Sequence, residues 1–314
     1  LVILLLILAM LKDGSVLPDY QVYLRDYIKL INGEAVRDIE ISYRSLSLLF
    51  RGFGTSGFFG VLFVYSFVQL LLIDRLIIKN TDFYYYSALL YFVNFYIIFG
   101  LIQIRAGASL ALCYYGLLNT NSPRRVGFSF LFAVFFHYSA LVIYPLFFLA
   151  RRKIDLRAVI GLSIIAIFLA FNLKSLIFIV INLMPLSYIQ EKLITYTLSS
   201  RADQFQINFG GIYFVSKFIF LVVVLLHWKY LKFVTHNSRI FCNLYIFGII
   251  AYVALSSFPE IAVRLSNYCF FSEVLLLPYF IRIYREKIVI KGAIILFAFV
   301  TLYVNINYLS YFQY

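Results

Sequence analysis

The sequence predicts an all-α, polytopic integral membrane protein with about ten transmembrane or re-entrant helices, and three observations carry that reading. Hydrophobic residues make up 63% of the 314-residue chain and charged residues 13%, about half the charge of a soluble domain. Apolar runs of about 15–25 residues recur from end to end, each close to the roughly 20 residues a helix needs to cross a bilayer core. No polar stretch exceeds about 45 residues, too few for a separate soluble domain of ordinary size. Residues 1–314 therefore read as a single membrane domain, and any chemistry belongs to its helices and loops.

The expected spans are 1–11, 57–73, 83–104, 106–118, 126–149, 156–184, 209–228, 240–256, 265–281 and 290–312. Leu1 to Leu11 reads as the end of a first span rather than a signal peptide, because no small-residue cleavage site follows it. Residues 12–56 are the longest non-spanning stretch. Their basic residues are matched by Asp13, Asp19, Asp26, Glu34, Asp38 and Glu40, a neutrality that predicts an outer-face loop. Inside it, Tyr20, Tyr23, Leu24, Tyr27, Ile28 and Ile31 recur at helical spacing. Pro18 suits the first turn and Asn32-Gly33 the end, so an amphipathic interfacial helix is expected over about 18–32.

Lys and Arg number 27 against 14 acids, and in a membrane protein that excess first describes topology rather than nucleic-acid binding. Arg151, Arg152, Lys153 and Arg157, then Lys229, Lys232 and Arg239, then Arg282, Arg285, Lys287 and Lys291 mark three loops on one face, expected to be cytoplasmic. The opposite face receives 185–208 and 257–264, with Glu191, Arg201, Asp203, Glu260 and Arg264. Counting every run as a full span puts 12–56 on the wrong side, so one segment must not cross. Either Val126 to Leu149 is two half-helices meeting near Phe136-His137-Tyr138-Ser139, or Ile41 to Phe53 enters the membrane as an extra segment. Broken backbone at membrane depth needs protein or a wet cavity around it.

Ionisable side chains at membrane depth are costly, which makes each one a functional candidate. Arg105 ends one apolar run and precedes Ala106-Gly107-Ala108-Ser109, small residues that admit a helix or a lipid headgroup; its planar cation suits a phosphate or pyrophosphate, or marks a snorkelling span end. His137, roughly 18 Å from either end of its run, suits a general base or a donor to a leaving phosphate, or a neutral side chain bonded to a neighbour. Arg264 offers a second clamp or an interfacial partner for Glu260. Glu273, Lys217 and Lys174 also fall within apolar runs, and a buried ion pair among them is open.

Several familiar chemistries find no motif, while a carboxylate-bound Mg²⁺ stays open. Cys113, Cys242 and Cys269 lack metal-ligand or disulfide spacing, and with three histidines in the chain a protein-built zinc or haem site is not expected. There is no Walker loop, GxSxG, HExxH or GxGxxG. No internal repeat of the kind many transporters carry is visible. Most of the 62 aromatic residues other than the lone Trp (35 Phe, 27 Tyr) belong to lipid-facing and belt positions, while some Tyr suit a glycan path, with an apolar face and a hydroxyl handle.

The order of these features resembles the EpsG family, which is grouped with the Wzy-type O-antigen and exopolysaccharide polymerases. The likeness runs through Asp19-Tyr20 and Tyr23, Glu40-Ile41-Ser42-Tyr43, Ile104-Arg105 before a small-residue helix, Phe136-His137-Tyr138-Ser139-Ala140, and Arg264 to Tyr268. One departure is Ala106, where the family commonly has Gln after the arginine, so an amide contact would come from Gln103 or elsewhere. The resemblance implies joining of undecaprenyl-pyrophosphate-linked repeat units at the periplasmic face of the bacterial inner membrane, as in lipopolysaccharide O-antigen synthesis. The implied partners are a polyprenyl-pyrophosphate-linked oligosaccharide donor and acceptor, membrane lipid and a chain-length regulator protein, with no nucleic acid, cofactor or metal.

Such a leaving group is already activated and needs cations for its developing charge. Arg105 and Arg264 would supply them, with Tyr23, Tyr43 and Tyr268 beside the substrate. His137, Asp19 and Glu40 remain alternative bases. Two rivals stay open. One is another lipid-linked-sugar glycosyltransferase with a metal on Asp38 and Glu40; the other is a flippase or transporter for lipid-linked glycan.

Overall fold

The computed structural model describes residues 2–12, 14, 17–36, 39–119, 122–183, 207–231 and 237–310. Asp38, Glu191, Arg201, Asp203, Lys232 and His236 lie outside these residues, as does nearly all of the expected outer loop 185–208. The described chain is helical, with no strand among the described residues, and forms an all-α polytopic membrane protein. Arg51–Asn80, Tyr84–Ile102, Arg157–Ile177, Pro259–Ile283 and Lys287–Ile306 are each long and apolar enough to cross a membrane.

In chain order the helices are α1 (Val2–Leu11), α2 (Pro18–Ile31), α3 (Ile41–Leu49), α4 (Gly57–Asn80), α5 (Tyr84–Tyr91), α6 (Ile104–Asn119), α7 (Pro123–Phe136), α8 (Ser139–Ala150), α9 (Leu156–Leu183), α10 (Ile212–Leu226), α11 (Ser238–Ala254), α12 (Pro259–Phe270) and α13 (Lys287–Ser310). The backbone divides into two compact units: Leu1–Pro145 with Leu277–Tyr314, and Leu146–Leu276.

In the first unit, α2 begins with Pro in its first turn and ends at Asn32. Gly33 follows with φ 83°, a left-handed conformation that glycine adopts without steric cost. Its N–H bonds the Leu30 carbonyl at 3.1 Å and the Glu34 N–H bonds Lys29 at 2.9 Å, the paired closure that satisfies a helix end. The tyrosine face read from the sequence is buried by protein: Tyr23, Tyr27 and Leu30 pack with Ile39, Tyr43, Phe58, Val61, Leu62, Tyr65, Ile104 and Ala108. The Tyr27 hydroxyl donates to Gly54 O at 2.8 Å, tying α2 to the turn that precedes α4.

The segment read as one span over 83–104 changes its winding midway. After α5, Phe92–Ile102 is a π-helix, closed by the Gln103 N–H on Ile98 O at 2.7 Å. Such wide turns are rare and cluster at functional sites. α6 then runs its small-residue face deep into the unit, with Ala108, Ser109 and Ala111 fully buried. A Cβ on Gly107 would sit 2.4 Å from both Gln69 Oε1 and Phe99 O, so α6 approaches its neighbours as closely as glycine allows. Ser109 Oγ donates to Ala133 O of α7 at 2.9 Å.

The run from Val126 to Leu149 is broken where the first of the two sequence alternatives put the break. α7 ends at Phe136, His137 is extended (φ −161°, ψ 130°), and α8 starts at Ser139. Neither half, at 14 and 12 residues, reaches the roughly 30 Å of a bilayer core at 1.5 Å per residue. α3, with nine residues, is shorter still.

The second unit is built around α11, which is buried along most of its length, and α12, which continues helically through Ser272–Leu276. Asn243 of α11 donates to Ala150 O at 2.8 Å and Arg152 O at 2.9 Å, and Ser257 Oγ donates to Ala170 O of α9 at 2.7 Å. Cys242 and Cys269 are buried thiols of this unit, and Cys113 is one of the first.

Candidate functional site

Three interruptions in helical regularity bring three ionisable side chains of the first unit together. Glu40 is the residue before α3 and has extended backbone there (φ −64°, ψ 147°), a place where a side chain commonly caps the helix. It makes no cap. Its carboxylate instead accepts from Arg105 Nη1 at 2.5 Å through Oε2 and meets His137 Nδ1 at 2.5 Å through Oε1. Arg105 is the second residue of α6, immediately beyond the π-helix, and His137 is the extended residue between α7 and α8. The break is clamped from both of its residues, since Tyr138 OH donates to Ile39 O at 3.2 Å beside Glu40.

Aromatic rings complete the cluster. The Arg105 guanidinium carbon lies 4.4 Å from the Tyr23 ring centroid and 5.3 Å from that of Tyr43, so the cation is held by π faces as well as by the carboxylate. Tyr43 OH donates to Tyr23 O at 2.6 Å. Tyr65 packs edge-on to Phe136 at 5.2 Å and shares a 2.6 Å hydrogen bond with Ser42. Arg105 Nε is buried and has no hydrogen-bond partner among the described residues.

Accessibility differs within the trio. The Glu40 side chain is 4% exposed, against 16% for Arg105 and 26% for His137. Burial alone would raise the Glu40 carboxyl, but the hydrogen bond with His137 and the Arg105 charge outweigh it, and the group is held below its ordinary value. An ionised carboxylate only accepts, so His137 Nδ1 must carry the proton in this contact. In the neutral ring the lone pair then resides on Nε2. Glu40 thus fixes the tautomer of the neutral histidine and leaves its other nitrogen an acceptor, while its second oxygen orients an arginine.

Of the residues singled out in the sequence, Glu40, Arg105, His137, Tyr23 and Tyr43 meet in this one cluster. Asp19 lies in the first turn of α2, and its charge acts on Lys12 and Tyr23. Arg264 belongs to the second unit, where it pairs with Glu260 at 2.6 Å one helical turn away. Tyr268 is buried in the same helix. Lys217 and Glu273 form a 2.7 Å ion pair within that unit. Tyr65, Ser42 and Phe136 around the trio were not singled out as site residues, and their i-spacing gave no signal because they come from three separate elements. Among the described residues no group of three or more His, Cys, Asp or Glu stands together as a metal site.

The EpsG family model matches residues 1–314. No curated protein and no solved structure matches the chain.

Proposed function

Since the chain belongs to the EpsG family, we propose that it is a membrane polysaccharide polymerase that joins polyprenyl-pyrophosphate-linked oligosaccharide repeat units at the periplasmic face of the inner membrane, as an O-antigen or surface-polysaccharide polymerase. The observation that carries the reading is the Glu40–Arg105–His137 trio, a fixed cation beside an oriented base in one partly accessible cluster.

In this reading the acceptor sugar hydroxyl gives its proton to His137 Nε2 as its oxygen bonds the donor anomeric carbon. The bond from that carbon to the phosphate oxygen breaks, and polyprenyl pyrophosphate leaves with the electron pair. Arg105 faces the charge that develops on the leaving oxygen, and Tyr23 and Tyr43 hold the guanidinium in place with little freedom to lose. Glu40 stabilises the imidazolium formed in the step and needs no proton change of its own.

The test is surface-polysaccharide length in a host lacking this gene, with and without the intact protein. Restoration of a ladder from a single-repeat band is the expected result. Lipid-linked units stranded on the cytoplasmic side, with even the single-repeat band lost, would instead identify a flippase.

A further inference from the structure

Beside the trio, Tyr65 OH and Ser42 Oγ stand 2.6 Å apart, and the two hydroxyls differ in burial. Tyr65 is fully buried, and among the described residues Ser42 Oγ is the one hydrogen-bond partner of its hydroxyl. A phenol carries a single proton, so accepting from Ser42 would leave that proton buried without an acceptor. Tyr65 therefore donates. Ser42 is half-buried in the first turn of α3 and has no second partner among the described residues, so its own proton is directed outward.

The surroundings of this hydroxyl are those of the trio. Ser42 lies two residues beyond Glu40, and its neighbour Tyr43 holds a ring 5.3 Å from the Arg105 guanidinium carbon. Tyr65 packs at 5.2 Å against Phe136, the residue before His137. The Glu40 and Arg105 charges both act on the Tyr65 phenol, and the phenol acts on Arg105 in turn. Glu40 offsets Arg105, so the pair brings little net charge to a pyrophosphate, and uncharged donors nearby carry weight. Glu40 also leaves the first turn of α3 without a side-chain cap, so the N–H groups of that turn add donors at the same helix end.

We propose that Ser42 donates a hydrogen bond to a phosphoryl oxygen of the polyprenyl-pyrophosphate donor, with Tyr65 as the buried positioning residue that orients it. This rests on the polymerase reading above. Tyr65 touches no substrate; by occupying one lone pair of Ser42 Oγ it fixes the direction of the serine proton, as Glu40 fixes that of His137. No proton moves along the pair.

The test is titration of inorganic pyrophosphate into the purified full chain in lipid nanodiscs, followed calorimetrically, with Arg105→Ala defining the part of the signal that belongs to this site. Ser42→Ala is expected to bind about tenfold more weakly than wild type, the scale of one charge-assisted hydrogen bond, and Ser42→Thr, which keeps the hydroxyl, to bind as wild type. Tyr65→Phe should weaken binding about threefold, the cost of a hydroxyl proton left to turn among three staggered positions. The double variant Ser42→Ala/Tyr65→Phe separates a binding role from a structural one. It leaves no buried hydroxyl unpaired and should recover any melting temperature that Ser42→Ala loses, while binding stays as weak as in Ser42→Ala. Recovery of wild-type binding in the double variant would make the pair a fastener and overturn the proposal. So would equal binding by Ser42→Ala and wild type, or a wild-type chain that extends polymer yet shows no Arg105-dependent binding of pyrophosphate. Ser42-dependent binding in a chain that builds no polymer would support the phosphoryl contact and overturn the polymerase reading instead.

Discussion

Two charge clusters sit among the helices of this membrane protein, and they are built to opposite ends. In the second unit, Lys217 and Glu273 pair at 2.7 Å with side chains 5% and 0% exposed, and Tyr245 OH donates to Lys217 O at 2.9 Å. The lysine also lies 5.7 Å from the Tyr213 ring and 5.5 Å from Phe270, so the pair is enclosed and internally satisfied. In the first unit, Glu40 is sealed while Arg105 and His137 keep 16% and 26% exposure, a donor of Arg105 is unpartnered among the described residues, and all three side chains come from breaks in helix. Buried charge marks both places. Only accessibility and incomplete pairing separate a site from a fastener.

The largest contrast is expected on removing a cation from each. Arg105→Ala should abolish chain extension, a loss of about a hundredfold or more, while leaving protein level and insertion unchanged, read as a polysaccharide ladder beside a membrane immunoblot. Lys217→Met should do the reverse. It strands Glu273, costs about 3–5 kcal/mol and lowers the melting temperature and membrane abundance. The double variant Lys217→Met/Glu273→Leu should recover both, because a buried pair replaced by apolar residues of similar size is close to neutral.

Next in size is the base. His137→Gln should lower the rate of extension by about a hundredfold with pyrophosphate binding retained, measured as product per protein in reconstituted vesicles. A variant that loses binding as much as rate would make His137 a ligand contact rather than a base.

Smaller effects test how Glu40 holds the pair. Its carboxyl is lower in the folded chain than in the unfolded one, so its contribution is complete above the ordinary carboxylate value and is lost as pH falls through the lowered folded value. Melting temperature should therefore drop below about pH 4, and Glu40→Gln should flatten that dependence. The smallest effect belongs to Tyr23. Tyr23→Phe keeps the ring under Arg105 and should change extension little, whereas Tyr23→Leu removes a cation–π contact of about 1 kcal/mol.

The helical class, the membrane character and the α2 boundaries were legible because each is local: apolar run length, Pro18 and Asn32-Gly33; the break at His137 was one of two alternatives that the count of spans against loop charge left open. Arg105 and His137 stood out for the same reason, as charges where charge is costly. Their meeting through Glu40 was not legible, since the contacts join residues 65 and 97 positions apart and depend on how three helix ends pack. Glu40 was offered as one of several bases, and nothing in its spacing said that it would hold two partners. The pairing of Lys217 with Glu273, 56 positions apart, was hidden likewise, and so was the π-helical winding of Phe92–Ile102, which no side-chain pattern announces. Arg264 and Glu260 were readable as an i,i+4 pair, and the pair forms.

The most direct test of the account uses the purified chain in vesicles with a synthetic polyprenyl-pyrophosphate-linked repeat unit, following product length and released polyprenyl pyrophosphate together. Wild type should release one polyprenyl pyrophosphate per bond formed, Lys217→Met/Glu273→Leu should do the same, and Arg105→Ala should do neither. Polymer of normal length from Arg105→Ala would contradict the claim that the Glu40–Arg105–His137 cluster is where the bond is made.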